Sequence, residues 1–196
     1  MTKKLGILAL ALGAVAALLA IAAVSWRERP ASVAQDLGGP FALVDANNGQ
    51  TVTERSFRGK LMLIYFGYTY CPDACPTTLN NISQAMAKLG TAGNRIAPLF
   101  ISVDPERDTQ QVMANYVKAF DPRIQGLTGD AETTARVAKE FGVYYSKHDV
   151  PGGYLVDHSS LLYVMDRQGA LLRVLPANES GDKLAGDLRQ LLGSKS

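Results

Sequence analysis

Two uninterrupted apolar runs constrain this chain more than any other feature: LMLIYF (Leu61–Phe66) and the centre of RIAPLFISVD (Arg95–Asp104). Both are rich in strand formers and neither alternates polar with apolar residues. Each therefore reads as a strand covered on both faces, the kind found in sheets layered between helices. The neighbouring segments supply helices from Pro76 to about Lys88, from about Thr109 to Phe120, and from Ala131 to Phe141 behind a cap at Asp130. A short strand is expected near Ile124–Leu127. FALVD and TVTE flank Asn47-Asn48-Gly49, a hairpin signal because Asn and Gly tolerate positive φ. SLLYVMD and ALLRVLP flank Arg167-Gln168-Gly169 as a second hairpin, and a helix from about Gly181 to Leu192 closes the chain. VYYSKHDVPGGYLVDHSS reads as loop, with a turn at Pro151-Gly152-Gly153. The order predicts an α/β sandwich around a mixed central sheet, spanning residues 40–196.

At 196 residues there is room for that domain and something more. Lys3 and Lys4 precede an uncharged stretch from Leu5 to Trp26. As a helix it would span roughly 33 Å at ~1.5 Å per residue, enough for a hydrocarbon core of about 30 Å. The apolar region of a cleaved signal peptide is shorter, about 7–15 residues. Trp26, Arg27 and Arg29 suit an interfacial boundary. Residues 1–29 are therefore read as an uncleaved N-terminal transmembrane anchor, with Ala20-Ile21-Ala22 as the alternative cleavage site. Residues 30–39, poor in large apolar side chains, read as a tether. A short leading tail stays in the cytoplasm, which places the domain outside a bacterial inner membrane, facing the periplasm or cell exterior. Beyond Arg29 the chain carries 16 Lys and Arg against 17 Asp and Glu, so no basic surface argues for nucleic acid.

Both cysteines lie in GYTYCPDACPTTL, between the first apolar run and the first central helix. A residue before proline is pushed out of the α region, so neither Cys71 nor Cys75 should sit inside a helix. Pro76 suits the first helical position, which puts Cys75 near the N-cap, where the helix dipole favours a thiolate. A structural disulfide would close a very small loop and stabilise little. A thiol–disulfide oxidoreductase commonly has two intervening residues rather than three. A metal site needs a third ligand beside the two sulfurs. Of the two histidines, His148 sits in a polar, glycine-flanked segment and reads as solvated. His158 stands just before the apolar run LLYVM, with Asp157 beside it. Thioredoxin-like folds carry their cysteines at the equivalent of Cys71 and Cys75, and pass the segment entering this strand next to them. Oxidoreductases of that fold place a cis-proline there, whereas this chain places His158, which favours metal. Two thiolates and an imidazole suit Cu(I) or Cu(II), with zinc second.

GYTYCPDACP, ISVDPERDT (Ile101–Thr109) and YLVDHS (Tyr154–Ser159) together resemble the signature segments of the Sco/SenC family. The resemblance runs in order from about Phe41 to the last helix. It implies a thioredoxin-like fold behind a membrane anchor, with Cys71, Cys75 and His158 as copper ligands. It also implies delivery of copper to the binuclear copper site of cytochrome c oxidase subunit II, or of a related copper protein. The alternative is reduction of that site's cysteines by Cys71 and Cys75 as a redox pair, and enzymatic turnover stays open between the two. Asp73 is read as a turn residue or a group that tunes the metal. Asp104 and Asp108 are given strand-end and helix-cap roles, with Arg107 pairing to either.

Overall fold

A computed structural model describes residues 37–193 of the 196. The expected anchor over residues 1–29 and the tether up to residue 36 lie outside the described residues. Among the described residues, no helix is long and apolar enough to cross a membrane.

The two apolar runs are the central strands. Strand β1 (Ala42–Asp45) and β2 (Thr51–Thr53) form the first hairpin, and β3 (Leu61–Gly67) follows. Helix α1 (Ala74–Leu89) leads to β4 (Ile96–Ser102), α2 (Gln110–Val117), β5 (Gln125–Thr128) and α3 (Ala131–Glu140). Strands β6 (Tyr145–Val150) and β7 (Gly153–His158) precede the hairpin of β8 (Leu161–Met165) and β9 (Leu171–Pro176), and α4 (Gly181–Gly193) ends the domain. One seven-stranded sheet has the order β2-β1-β5-β4-β3-β8-β9. Its centre, β5-β4-β3, is parallel, while β1 and β8 join it antiparallel. This is the mixed sheet expected from the sequence.

Every residue of β3 and β4 is buried, which is why these runs contain no polar alternation. Tyr65 stacks on Phe100, which meets Tyr116 of α2, on one face. Phe66 and Tyr163 meet Phe141, just beyond α3, on the other. Helix α4 packs along α1. Caps fix the helix starts: Thr109 accepts from the Val112 N–H and Asp130 from the Thr133 N–H. In the first turn only Gly49 takes positive φ, 73°, while the Asp45 carboxylate accepts from the Asn47 N–H.

The segment expected as loop is instead a two-stranded antiparallel ribbon, β6-β7, turning at Pro151-Gly152 and sharing no ladder with the main sheet. At the other end of the sheet the chain comes in at Gly38. Its N–H donates to the Glu140 carbonyl at 2.8 Å, and it packs against Met165, the partner of Met62 at the start of β3.

Candidate metal centre

The thiol loop leaves the end of β3. Helix α1 starts at Ala74, two residues before the predicted start, with Asp73 at the N-cap. Pro76 is thus the third helical residue. The first N–H groups of a helix have no internal partner, so a proline there still costs no bond. The first bond of the ladder runs from the Thr77 N–H to the Asp73 carbonyl at 3.1 Å. Cys75 consequently lies in the first turn rather than before it. Its N–H points at the Cys71 sulfur, 3.4 Å away.

The two sulfurs have different surroundings. Cys75 is fully buried, with Sγ seated against Gly67 and accepting from the Tyr65 hydroxyl at 3.6 Å. Cys71 is half-buried at the edge of a cleft of about 330 Å³. The hydrogen bond with the Cys75 side chain pulls the Cys71 thiol down to about 3, helped by His158 and the Cys75 and Asp73 N–H groups, and opposed by burial. The same interaction with Cys71, then burial, pushes the Cys75 thiol up. The thiolate is therefore Cys71 and not the helix-borne Cys75 expected from the sequence. Burial and the proximity of a second sulfur outweigh the dipole.

This assignment has a direct consequence for labelling. An ordinary cysteine near 9.0 loses about tenfold in thiolate for each unit of pH below that value. Iodoacetamide labelling of Cys71 in the reduced, metal-free protein is expected to stay nearly constant from pH 8 to pH 5, with Cys75 unmodified. Peptide mass mapping checks this, and Cys75 labelling ahead of Cys71 would reverse the assignment.

His158 closes strand β7, and its Nε2 lies 3.4 Å from Cys75 Sγ. Its Nδ1 lies 3.2 Å from the Ser159 carbonyl. A carbonyl only accepts, so Nδ1 carries a proton, and Nε2 is the ring nitrogen that faces the sulfurs. Tyr65 and Tyr68 flank the ring edge-on, each with centroids 6.0 Å away, and fix its plane. Among the described residues, Cys71, Cys75 and His158 are the group of potential ligands that converges: their donor atoms all lie within 4.8 Å of one another. A soft metal with bonds of roughly 2.0–2.3 Å fits among donors so spaced. Two sulfurs, one imidazole nitrogen and an open cleft favour a thiophilic ion that can enter and leave.

His148 lies on β6 rather than in a loop. It lines the same cleft but turns its Nδ1 to Asp157 Oδ2 at 3.3 Å and stands outside the ligand group. Asp73 is exposed, and its carboxylate meets the Thr77 hydroxyl at 3.4 Å, as a turn and cap residue does. Asp108 is not a helix cap, a role taken by Thr109. It is fully buried, and its carboxylate accepts from the Thr69 N–H, the Thr69 hydroxyl and the Ser102 hydroxyl. Asp104, also fully buried at the end of β4, takes Arg107.

Sequence reasoning missed Tyr65 and Tyr68. A signal existed: Tyr65 brings the only side-chain hydroxyl into the otherwise apolar LMLIYFG, and a buried tyrosine normally needs a partner for it. Tyr68 receives the Val156 N–H at its hydroxyl, 3.2 Å away, joining the thiol loop to the ribbon.

A family model described as SCO1/SenC matches residues 29–193. Protein sco1 of Schizosaccharomyces pombe is 44% identical over 154 residues, covering 76% of this chain and 58% of that protein. The human protein SCO1 homolog, mitochondrial, is 40% identical over 156 residues, covering 78% and 52%. The chain spans about half the length of the curated relatives it matches. Among solved structures, Bradyrhizobium japonicum ScoI with copper bound is 43% identical, with a TM-score of 0.74, covering 79% of this chain and 98% of that one.

Proposed function

We propose, on the premise that this chain belongs to the SCO1/SenC family, that it binds copper through Cys71, Cys75 and His158 and passes it on during cytochrome c oxidase assembly. The observation that carries this reading is the convergence of three soft donors within 4.8 Å beside an open cleft. A relative with copper bound supports the choice of ion. Copper is cargo here. Cys71 offers a ready thiolate, Cys75 loses its proton as the metal enters, and His158 Nε2 completes the set. Three ligands and one open side let a recipient's sulfur approach before the donor's bonds are lost. The family resemblance supplies the recipient, the binuclear copper site of subunit II. It also supports the reading of Leu5–Trp26 as a single-pass anchor in a bacterial inner membrane, with the domain in the periplasm.

A second reading rests on the contrast between the sulfurs. An accessible thiolate at Cys71 above a protonated Cys75 is the arrangement of an attacking and a resolving thiol. Cys71 would attack a partner disulfide and Cys75 release the mixed disulfide, leaving a Cys71–Cys75 bridge and two thiols on the partner.

One titration separates the readings. Reduced, metal-free protein is titrated with Cu(I) against a competing chelator, beside His158→Ala and His148→Ala. Tight one-to-one binding is expected, weakened by about 10–100-fold or more in His158→Ala, since even an outer partner of a ligand is worth that much. His148→Ala should stay within a few-fold of the unmodified protein. Weak binding indifferent to His158 would leave the thiol pair as a reductase.

A further inference from the structure

Cysteines and histidine reach the site on separate pieces of chain: the sulfurs come from the end of β3 and the start of α1, His158 from a ribbon outside the main sheet. Something must hold those pieces in register. The segment between β4 and α2, residues 103–109, touches both.

On one side Asp108, fully buried, grips Thr69 through its N–H (3.1 Å to Oδ2) and hydroxyl, two residues before Cys71. On the other, Arg107 reaches the ribbon. Its Nη1 donates to the Tyr154 carbonyl at 2.8 Å, and its guanidinium lies over the Tyr154 ring at 3.6 Å. The Tyr70 ring lies 4.8 Å from the same guanidinium, so aromatic faces from both pieces of chain bracket it. Asp104 binds Arg107 Nε and accepts the Tyr154 hydroxyl at 2.8 Å. Lys147, on the opposite strand of the ribbon, pairs with Glu106 at 2.7 Å. Arg107 Nη2 is buried without an acceptor among the described residues, so its place is set by stacking and by its other nitrogens.

We propose that Arg107 is a positioning residue: with Asp104 and Tyr154 it clasps the ribbon to the thiol loop and thereby sets where His158 Nε2 stands relative to the two sulfurs. The inference rests on the three-ligand site proposed above, but the clasp itself exists without metal. A planar guanidinium suits this role because it can donate in its own plane while aromatic rings cover its faces.

The test uses Arg107→Met, which keeps an apolar stem but no donor, and Tyr154→Leu, which removes the stacking face from the half-exposed ribbon should the first variant fold poorly. In metal-free protein, hydrogen exchange of the amides of residues 145–158 is expected to accelerate at least tenfold while β3 and β4 stay protected. With metal, Cu(I) affinity is expected to fall by about tenfold, in the range of an outer-shell loss. Placed in a His158→Ala background, the same substitution should cost almost nothing, because the residue acts through His158. Unchanged ribbon exchange would overturn the clasp, whatever copper does. An undiminished affinity loss in the His158→Ala background would overturn the positioning role and leave Arg107 with general stability.

Discussion

Replacing Cys71 or Cys75 with alanine is expected to abolish tight one-to-one copper binding, lowering Cu(I) affinity by well over the roughly 10–100-fold that loss of an outer partner costs. The two substitutions should reach this result by different routes. Cys71 is half-buried, so Cys71→Ala removes the thiolate and little packing. Its thermal midpoint should stay near that of the parent. Cys75 is fully buried against Tyr65 and Gly67. Cys75→Ala leaves the Tyr65 hydroxyl without its sulfur partner in the core, a loss worth about 1–3 kcal/mol. That corresponds to a midpoint lower by about 2–4 °C per kcal/mol for a domain of this size. A competition titration and a thermal melt on each variant check both statements. Stoichiometric tight binding by Cys71→Ala would remove the two-thiolate site.

The second large effect concerns a residue that never touches metal. Gly67 ends β3 without positive φ, so its backbone would accept alanine and only space forbids it. An added Cβ would fall 2.7 Å from Cys75 Sγ and 2.8 Å from a ring carbon of Phe100. Phe100 is fully buried between Tyr65 and Tyr116 and has no room to yield. Cys75, in the first turn of α1, is the group that must move. Gly67→Ala is therefore expected to cost about 1–3 kcal/mol in overpacking and to weaken Cu(I) binding at least tenfold by displacing one donor. An alanine variant with parental affinity and melting would show that the sulfur has space the packing denies it.

The same residues show what the sequence could and could not disclose. Strands β3 and β4 were legible because burial on both faces leaves an unbroken apolar run, and Asp130 marked a helix start through a local hydrogen bond. The ribbon was not legible. Only Val156 of β6 and β7 is fully buried, so Tyr145–His158 shows no hydrophobic period and its glycines and proline dominate the reading. His158 could be chosen before its strand was known because few side chains can complete a site with two thiolates. Which cysteine is the thiolate could not be read off, since spacing and proline placement favoured Cys75, and the hydrogen bond between the two sulfurs, with the burial of Cys75, reversed the order. Asp108 went astray for a related reason: its partner Thr69 lies 39 positions away, and only the fold brings them together.

The way the chain comes into the domain has a consequence for reach. Gly38 docks beside Met165, at the end of the sheet where β3 begins, while Cys71 lies beyond Gly67, where β3 finishes. From Met62 to Gly67 the strand advances roughly 17 Å at about 3.3 Å per residue. A domain held from its N-terminal side thus carries its sulfurs on the distal end. If the proposed anchor holds the domain, the length of the leash would add to the distance at which copper could be handed over, and the face offered to a recipient would lie opposite the face by which the domain is held.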